Sequence, residues 1–143
     1  MTIVLDTNIL ISATIVEQGF SAQIRRLWQA KQLQVATSPE ILAEFRRVLS
    51  YPRIAKRHQL DEKTLDGVVK QLKEKTIVVS GDTEVGTVSK DPDDDKFLAC
   101  AIEAKAEAII SGDPHLLDLE SFQGIPIMKP RTFIETFLAQ KAA

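Results

Sequence analysis

The run Asp91-Pro92-Asp93-Asp94-Asp95 places four carboxylates within five residues and leads straight into the apolar segment Phe97-Leu98-Ala99-Cys100-Ala101. Part of this run is what a helix start needs. Asp91 suits the N-cap, Pro92 the first helical position, and the acids after it the positive end of the helix dipole. One or two acids suffice for that. More of them repel one another unless water or a cation offsets the charge. Asp95 is in helical register with Leu98, Ala99 and Ile102, so its carboxylate should emerge beside the buried face. Other acids have comparable placements. Asp6 ends the apolar run Thr2-Ile3-Val4-Leu5, and Asp113 ends Ala108-Ile109-Ile110-Ser111-Gly112. Glu44 lies mid-helix beside the stripe of Ile41, Leu42, Phe45, Val48 and Leu49, where a first-turn preference cannot account for it. An all-oxygen set of this kind suits a hard divalent cation such as Mg²⁺ or Mn²⁺, and such ions usually work on phosphates. The chain has no His or Cys cluster of the sort zinc prefers.

Each piece has an ordinary explanation when taken alone. Asp6 can be a loop residue, Asp113-Pro114 a turn, and the acidic run a cap. Joint placement is what favours chemistry. Two other acidic motifs fail on particular residues. Asp91, Asp93 and Asp95 mimic the start of a calcium-binding EF-hand loop, but its sixth position is Lys96 instead of glycine and its twelfth is Ile102 instead of glutamate. A phosphatase of the haloacid-dehalogenase type needs a second Asp two residues after the first, where this chain has Asn8.

The elements that must position these groups alternate between two periods. Strands are expected at Thr2–Leu5, Leu33–Thr37, Thr76–Val79, Ala108–Asp113 and Ile125–Met128, with Pro126 suggesting an edge for the last. Helices are expected at Ile9–Ala13, Ser21–Ala30, from Ser38-Pro39 onward, over Asp61–Lys75, from the acidic run through Ala104, at Pro114–Leu117 and over Pro130–Gln140. Strands alternating with helices predict a single α/β domain over residues 1–143, three-layered, with a mostly parallel sheet. In such a sheet the strand ends and the starts of the following helices share one rim, so Asp6, Asp95 and Asp113 can converge there, and Glu44 can join them.

Between Phe45 and Leu60 there is no acidic residue, and Arg46, Arg47, Arg53, Lys56, Arg57 and His58 all fall there, with Pro52 breaking the helix. The net charge is −2, so any nucleic-acid affinity must come from such a local patch. The run would hold a polyanion near the metal. At 143 residues with 44% hydrophobic content, the chain is sized for one core. Cys100 cannot form an internal disulfide and reads as a buried small hydrophobe, which fits a cytoplasmic compartment. No signal peptide is expected, and no apolar run is long enough to span a bilayer.

Asp6-Thr7-Asn8 after the first strand, Glu44 within Ser38-Pro39-Glu40-Ile41-Leu42-Ala43-Glu44-Phe45, the acidic run through Ala99, and Ser111-Gly112-Asp113 together resemble the PIN domain family. The similarity is greatest to its bacterial branch of VapC-related toxins from toxin–antitoxin modules, and it extends over essentially the whole chain. The resemblance implies a Mg²⁺- or Mn²⁺-dependent endoribonuclease. Its acidic quartet would fall on Asp6, Glu44, Asp95 and Asp113. Asn8 and Ser111 would orient these carboxylates and a metal-bound water. Asp94 could share the role of Asp95, while Asp91 and Asp93 could serve as caps alone. The resemblance also implies a homodimer silenced by an antitoxin protein. A non-catalytic PIN-like module that binds RNA or a protein is the alternative.

Overall fold

The computed structural model describes residues 1–86 and 92–142. Six strands form one sheet: β1 (Thr2–Leu5), β2 (Gln34–Thr37), β3 (Ile77–Val78), β4 (Ala108–Ile110), β5 (Ser121–Phe122) and β6 (Ile125–Met128). Their order is β3-β2-β1-β4-β6-β5. Neighbouring strands pair in parallel, except that β5 meets β6 antiparallel. The helices are α1 (Thr7–Ile15), α2 (Phe20–Gln29), α3 (Pro39–Leu49), α4 (Pro52–His58), α5 (Glu62–Lys75), α6 (Asp95–Ala104), α7 (Pro114–Leu117) and α8 (Pro130–Ala142). The fold is the α/β class expected from the alternating periods.

The topology explains where a site can form. From β1 the chain steps to β2 and then to β3, always in one direction. It then returns through α6 to β4, on the other side of β1. Because such crossovers are right-handed, this reversal places α6 on the opposite face from the helices joining β1, β2 and β3. The change of direction opens a crevice between the carboxyl ends of β1 and β4, where ligands bind in open α/β sheets. Ile3, Val4 and Leu5 of β1 and Ile109 and Ile110 of β4 are almost wholly buried, as are Phe45 of α3 and Leu98 of α6. Both central strands are therefore fixed by packing on two faces. Cys100 lies in the same core, and burial pushes its thiol pKa up to about 12, which keeps it an inert hydrophobe.

Several elements differ from the expectations. Pro126 does not mark the sheet edge, because the hairpin strand β5 lies outside β6. The pairing of β6 with β4 begins at Ile127, so the missing N–H of Pro126 falls before that ladder. β5 has two residues, too few to show an alternation. β3 is also only two residues long, and its Ile77 and Val78 are exposed because it is the other edge. The expected cap Asp91 lies outside the described residues. Pro92–Asp94 form a 3₁₀ turn, and the α-helix proper starts at Asp95. Among the described residues, no helix is long and apolar enough to cross a membrane.

Candidate active site

Asp6 is the single residue between β1 and α1, so its backbone is fixed by the sheet while its side chain caps a helix. Its N–H donates to Ile110 O at 3.0 Å. Its Oδ1 accepts from Ile9 N–H at 2.8 Å, and its Oδ2 accepts from the Ser111 hydroxyl at 2.5 Å and from Gly112 N–H at 3.2 Å. The carboxylate is thus tied to α1 and to the segment that follows β4. It is only 5% exposed. Burial pushes its pKa above the ordinary carboxylate value. The hydrogen bonds from Ser111, Ile9 and Gly112 oppose that shift without cancelling it, and the charge on Asp113 adds to it.

Ser111 is fully buried, and its oxygen also accepts from Asp113 N–H at 2.9 Å. One hydroxyl therefore fixes two acids, donating to the side chain of Asp6 and accepting from the backbone of Asp113. Asp113 is the N-cap of α7, with Oδ1 accepting from His115 N–H at 2.9 Å. Asp94 is buried at the end of the 3₁₀ turn. One carboxylate oxygen each from Asp94 and Asp113 and a ring nitrogen of His115 lie within 4.8 Å of one another.

Glu44 reaches the cleft from α3. Its Oε1 accepts a short hydrogen bond from the Thr7 hydroxyl. Its Oε2 lies 2.5 Å from Lys96 Nζ and 3.7 Å from Arg47 Nη2. Lys96 is buried and also donates from Nζ to Asp93 O at 2.7 Å.

Asp6, Asn8, Glu44, Asp94 and Asp113 line one cleft of about 230 Å³, joined by Thr7, Asp93 and Lys96, and Ser111 supports Asp6 from within the protein. Asn8 is exposed on its wall. Asp95 is half-buried and is not among the lining residues. Its Oδ1 is, among the described residues, the one buried side-chain oxygen or nitrogen without a hydrogen-bond partner. A larger cavity of about 660 Å³ lies along α2, α5, β2 and β3, but the converging carboxylates are not part of it.

The basic run divides. Arg46 turns to α5, pairing with Glu62 and with Asp66 at 2.9 Å. Arg47 is 61% exposed beside Glu44, and Arg53, Lys56 and Arg57 are exposed on α4. His58 closes the α3–α4 junction. Its Nδ1 accepts from Leu60 N–H at 2.9 Å, which leaves Nε2 to donate to Leu49 O at 2.7 Å. The sequence assigned no site role to Thr7 and Lys96, which line the cleft, or to His115, which approaches Asp94 and Asp113. A lysine in a first helical turn ordinarily reaches water, and its burial against Glu44 depends on how α3 and α6 pack.

Chemically, the cleft offers convergent carboxylates held rigidly by backbone N–H groups and a buried hydroxyl. Asp94, Asp113 and His115 bring two carboxylate oxygens and a ring nitrogen close enough together to hold one metal ion.

The PIN domain model matches residues 2–115. An uncharacterised protein of Methanocaldococcus jannaschii is 29% identical, over 94% of this chain and 90% of that protein. Among solved structures, a chain of VapBC2 from Rickettsia felis, crystallised with a DNA fragment from its promoter, superposes with a TM-score of 0.60. The identity is 14%, and the match covers 89% of this chain and 97% of that one.

Proposed function

The chain belongs to the PIN domain family, and from that premise we propose that it is a metal-dependent endoribonuclease, the toxin of a toxin–antitoxin pair. The observation that carries the proposal is the convergence of Asp6, Asp94, Asp113 and Glu44 in one cleft at the switch point of the sheet. Mg²⁺ or Mn²⁺ would be held by Asp6, Asp94 and Asp113, with His115 within reach and Glu44 at the edge. We keep Asp95 in the proposal as a supporting acid of the run, on its buried and unpartnered Oδ1, although it does not line the cleft. When bound, the cation would polarise the phosphoryl oxygen, make water a nucleophile at neutral pH and stabilise the leaving oxygen. The chain's own residues do the positioning. Ser111, Gly112 and Ile9 lock the Asp6 carboxylate, Ser111 sets the backbone of Asp113, and Asn8 offers an exposed amide to orient water or phosphate. The VapBC2 likeness in fold supports an antitoxin as partner. A homodimer and a cytoplasmic location complete the proposal.

Purified protein should cleave generic RNA in Mn²⁺ or Mg²⁺, and EDTA should stop the cleavage reversibly. RNA that is bound but never cut, with or without metal, would identify a binding module instead.

Arg47 lies beside Glu44 at the cleft, and Arg53, Lys56 and Arg57 add exposed positive charge on α4, whereas Arg46 is committed to Glu62 and Asp66. Arg53→Ala combined with Arg57→Ala should weaken RNA binding alike for all sequences. The salt slope should fall by roughly 0.7–0.9 for each phosphate left without its arginine. Anisotropy with an uncleavable RNA at several salt concentrations measures both. Unchanged affinity and slope would assign these arginines to a partner or to solvent.

A further inference from the structure

We propose that the buried ammonium of Lys96 takes the place of a second divalent cation, so that the site holds one metal ion and Glu44 serves as the anchor of Lys96 instead of as a metal ligand. The inference rests on the metal-site reading above and concerns how that site divides its acids. Nucleases that use two metals hold them about 3.5–4 Å apart, each offset by carboxylates. In this cleft both oxygens of Glu44 are already engaged by the chain. Thr7 donates to Oε1, and Lys96 Nζ lies 2.5 Å from Oε2. Arg47 Nη2 adds a second positive group 3.7 Å from the same oxygen. A cation set against Glu44 would have to lie beside an ammonium whose residue is only 7% exposed, and in such surroundings like charges repel strongly. Lys96 is also held by Asp93 O at 2.7 Å, so it is not free to swing away without leaving its donors unsatisfied. The carboxylates whose oxygens approach one another without Glu44 are those of Asp94 and Asp113, joined by the ring of His115. The cleft is thus divided into a side built for a divalent ion and a side whose positive charge is covalently attached.

Lys96 is on this account a positioning residue that fixes charge beside the reacting phosphate. Its test is the stoichiometry of Mn²⁺ binding to the full chain, measured by calorimetry and equilibrium dialysis at neutral pH. The wild type should bind one ion. Asp113→Asn should weaken that ion by more than about tenfold, the low end for losing a partner of a metal site. The paired replacement Lys96→Met with Glu44→Gln removes both charges and avoids a buried unpaired ion. It should bind one Mn²⁺ with the wild-type constant. Lys96→Ala, which frees Glu44 and leaves space beside it, should bind two. Two ions in the wild type, loss of the ion in the paired variant, or a folded Lys96→Ala that still binds one would each overturn the inference while leaving the metal site standing. A wild type that binds no Mn²⁺ would remove the metal site and the inference together. Should Lys96→Ala fail to fold, the wild type and the paired variant still decide the matter.

Discussion

Asp6→Asn should lower the rate of RNA cleavage by at least about a hundredfold, beyond the 10–100-fold range typical of groups that only orient a metal ligand. The shape of the side chain is kept, so the loss would come from charge and hydrogen-bond direction. Asp6 Oδ1 accepts from Ile9, while Oδ2 faces two donors, Ser111 and Gly112. An asparagine that keeps its oxygen for the helix cap must turn an NH₂ group toward those donors. Asparagine caps helices well, so the fold should survive. The metal-free protein offers a second check through pH. Burial raises the pKa of Asp6 in the folded state above its ordinary value of 3.8. The folded state therefore holds this proton more tightly than the unfolded chain does. The stability contributed by Asp6 is fully present below 3.8 and is lost as pH rises through the raised folded value. The difference in stability between Asp6→Asn and wild type should shift in the mutant's favour across that window and then level off. Chemical denaturation of both proteins in EDTA, from acid to neutral pH, measures it. A pH-independent difference would mean that Asp6 is not held as a buried, proton-retaining acid.

Lys96→Met should destabilise the protein by about 3 kcal/mol, the low end for breaking a buried ion pair. Removing one member of such a pair costs roughly 3–5 kcal/mol, because the charge left behind keeps its desolvation penalty and loses its partner. The lower end applies because the Glu44 side chain remains 17% exposed, against 5% for Lys96. Methionine fills a similar volume, so cavity formation is a minor contribution. Adding Glu44→Gln should restore most of the loss, since the orphaned carboxylate is then gone. A double-mutant cycle in urea tests this coupling. Additive effects of the two substitutions would show that Lys96 and Glu44 do not act as a pair. The contrast with Arg46 is useful. It pairs with Glu62 and Asp66, whose side chains are 76% and 72% exposed. Replacing Arg46 by Met should therefore cost far less, within the roughly 0–1 kcal/mol typical of solvated pairs.

What the sequence determined by itself is local. The apolar runs that become β1 and β4, the helix starts at Ser38 and Asp61, and the acids at the strand ends were all legible, because strand burial and helix initiation depend on residues a few positions apart. The parallel α/β class followed from the alternation of those periods. Convergence of the acids needed the strand order, which sets β1 beside β4 and aims Asp6 and Asp113 at one crevice. The face presented by the acidic run also waited for the structure. Counting back from Leu98 at helical spacing singles out Asp95, whereas the cleft is lined by Asp94. The 3₁₀ turn over Pro92–Asp94 winds about three residues per turn instead of about 3.6, so an angular register taken from the α-helix does not carry into it. The pairing of Lys96 with Glu44 and the turning of Arg46 toward α5 were likewise hidden. A charged side chain in a helix carries no local mark of whether it meets water or an opposite charge. That outcome is decided by which helix packs against it, and packing joins residues that are remote in the chain.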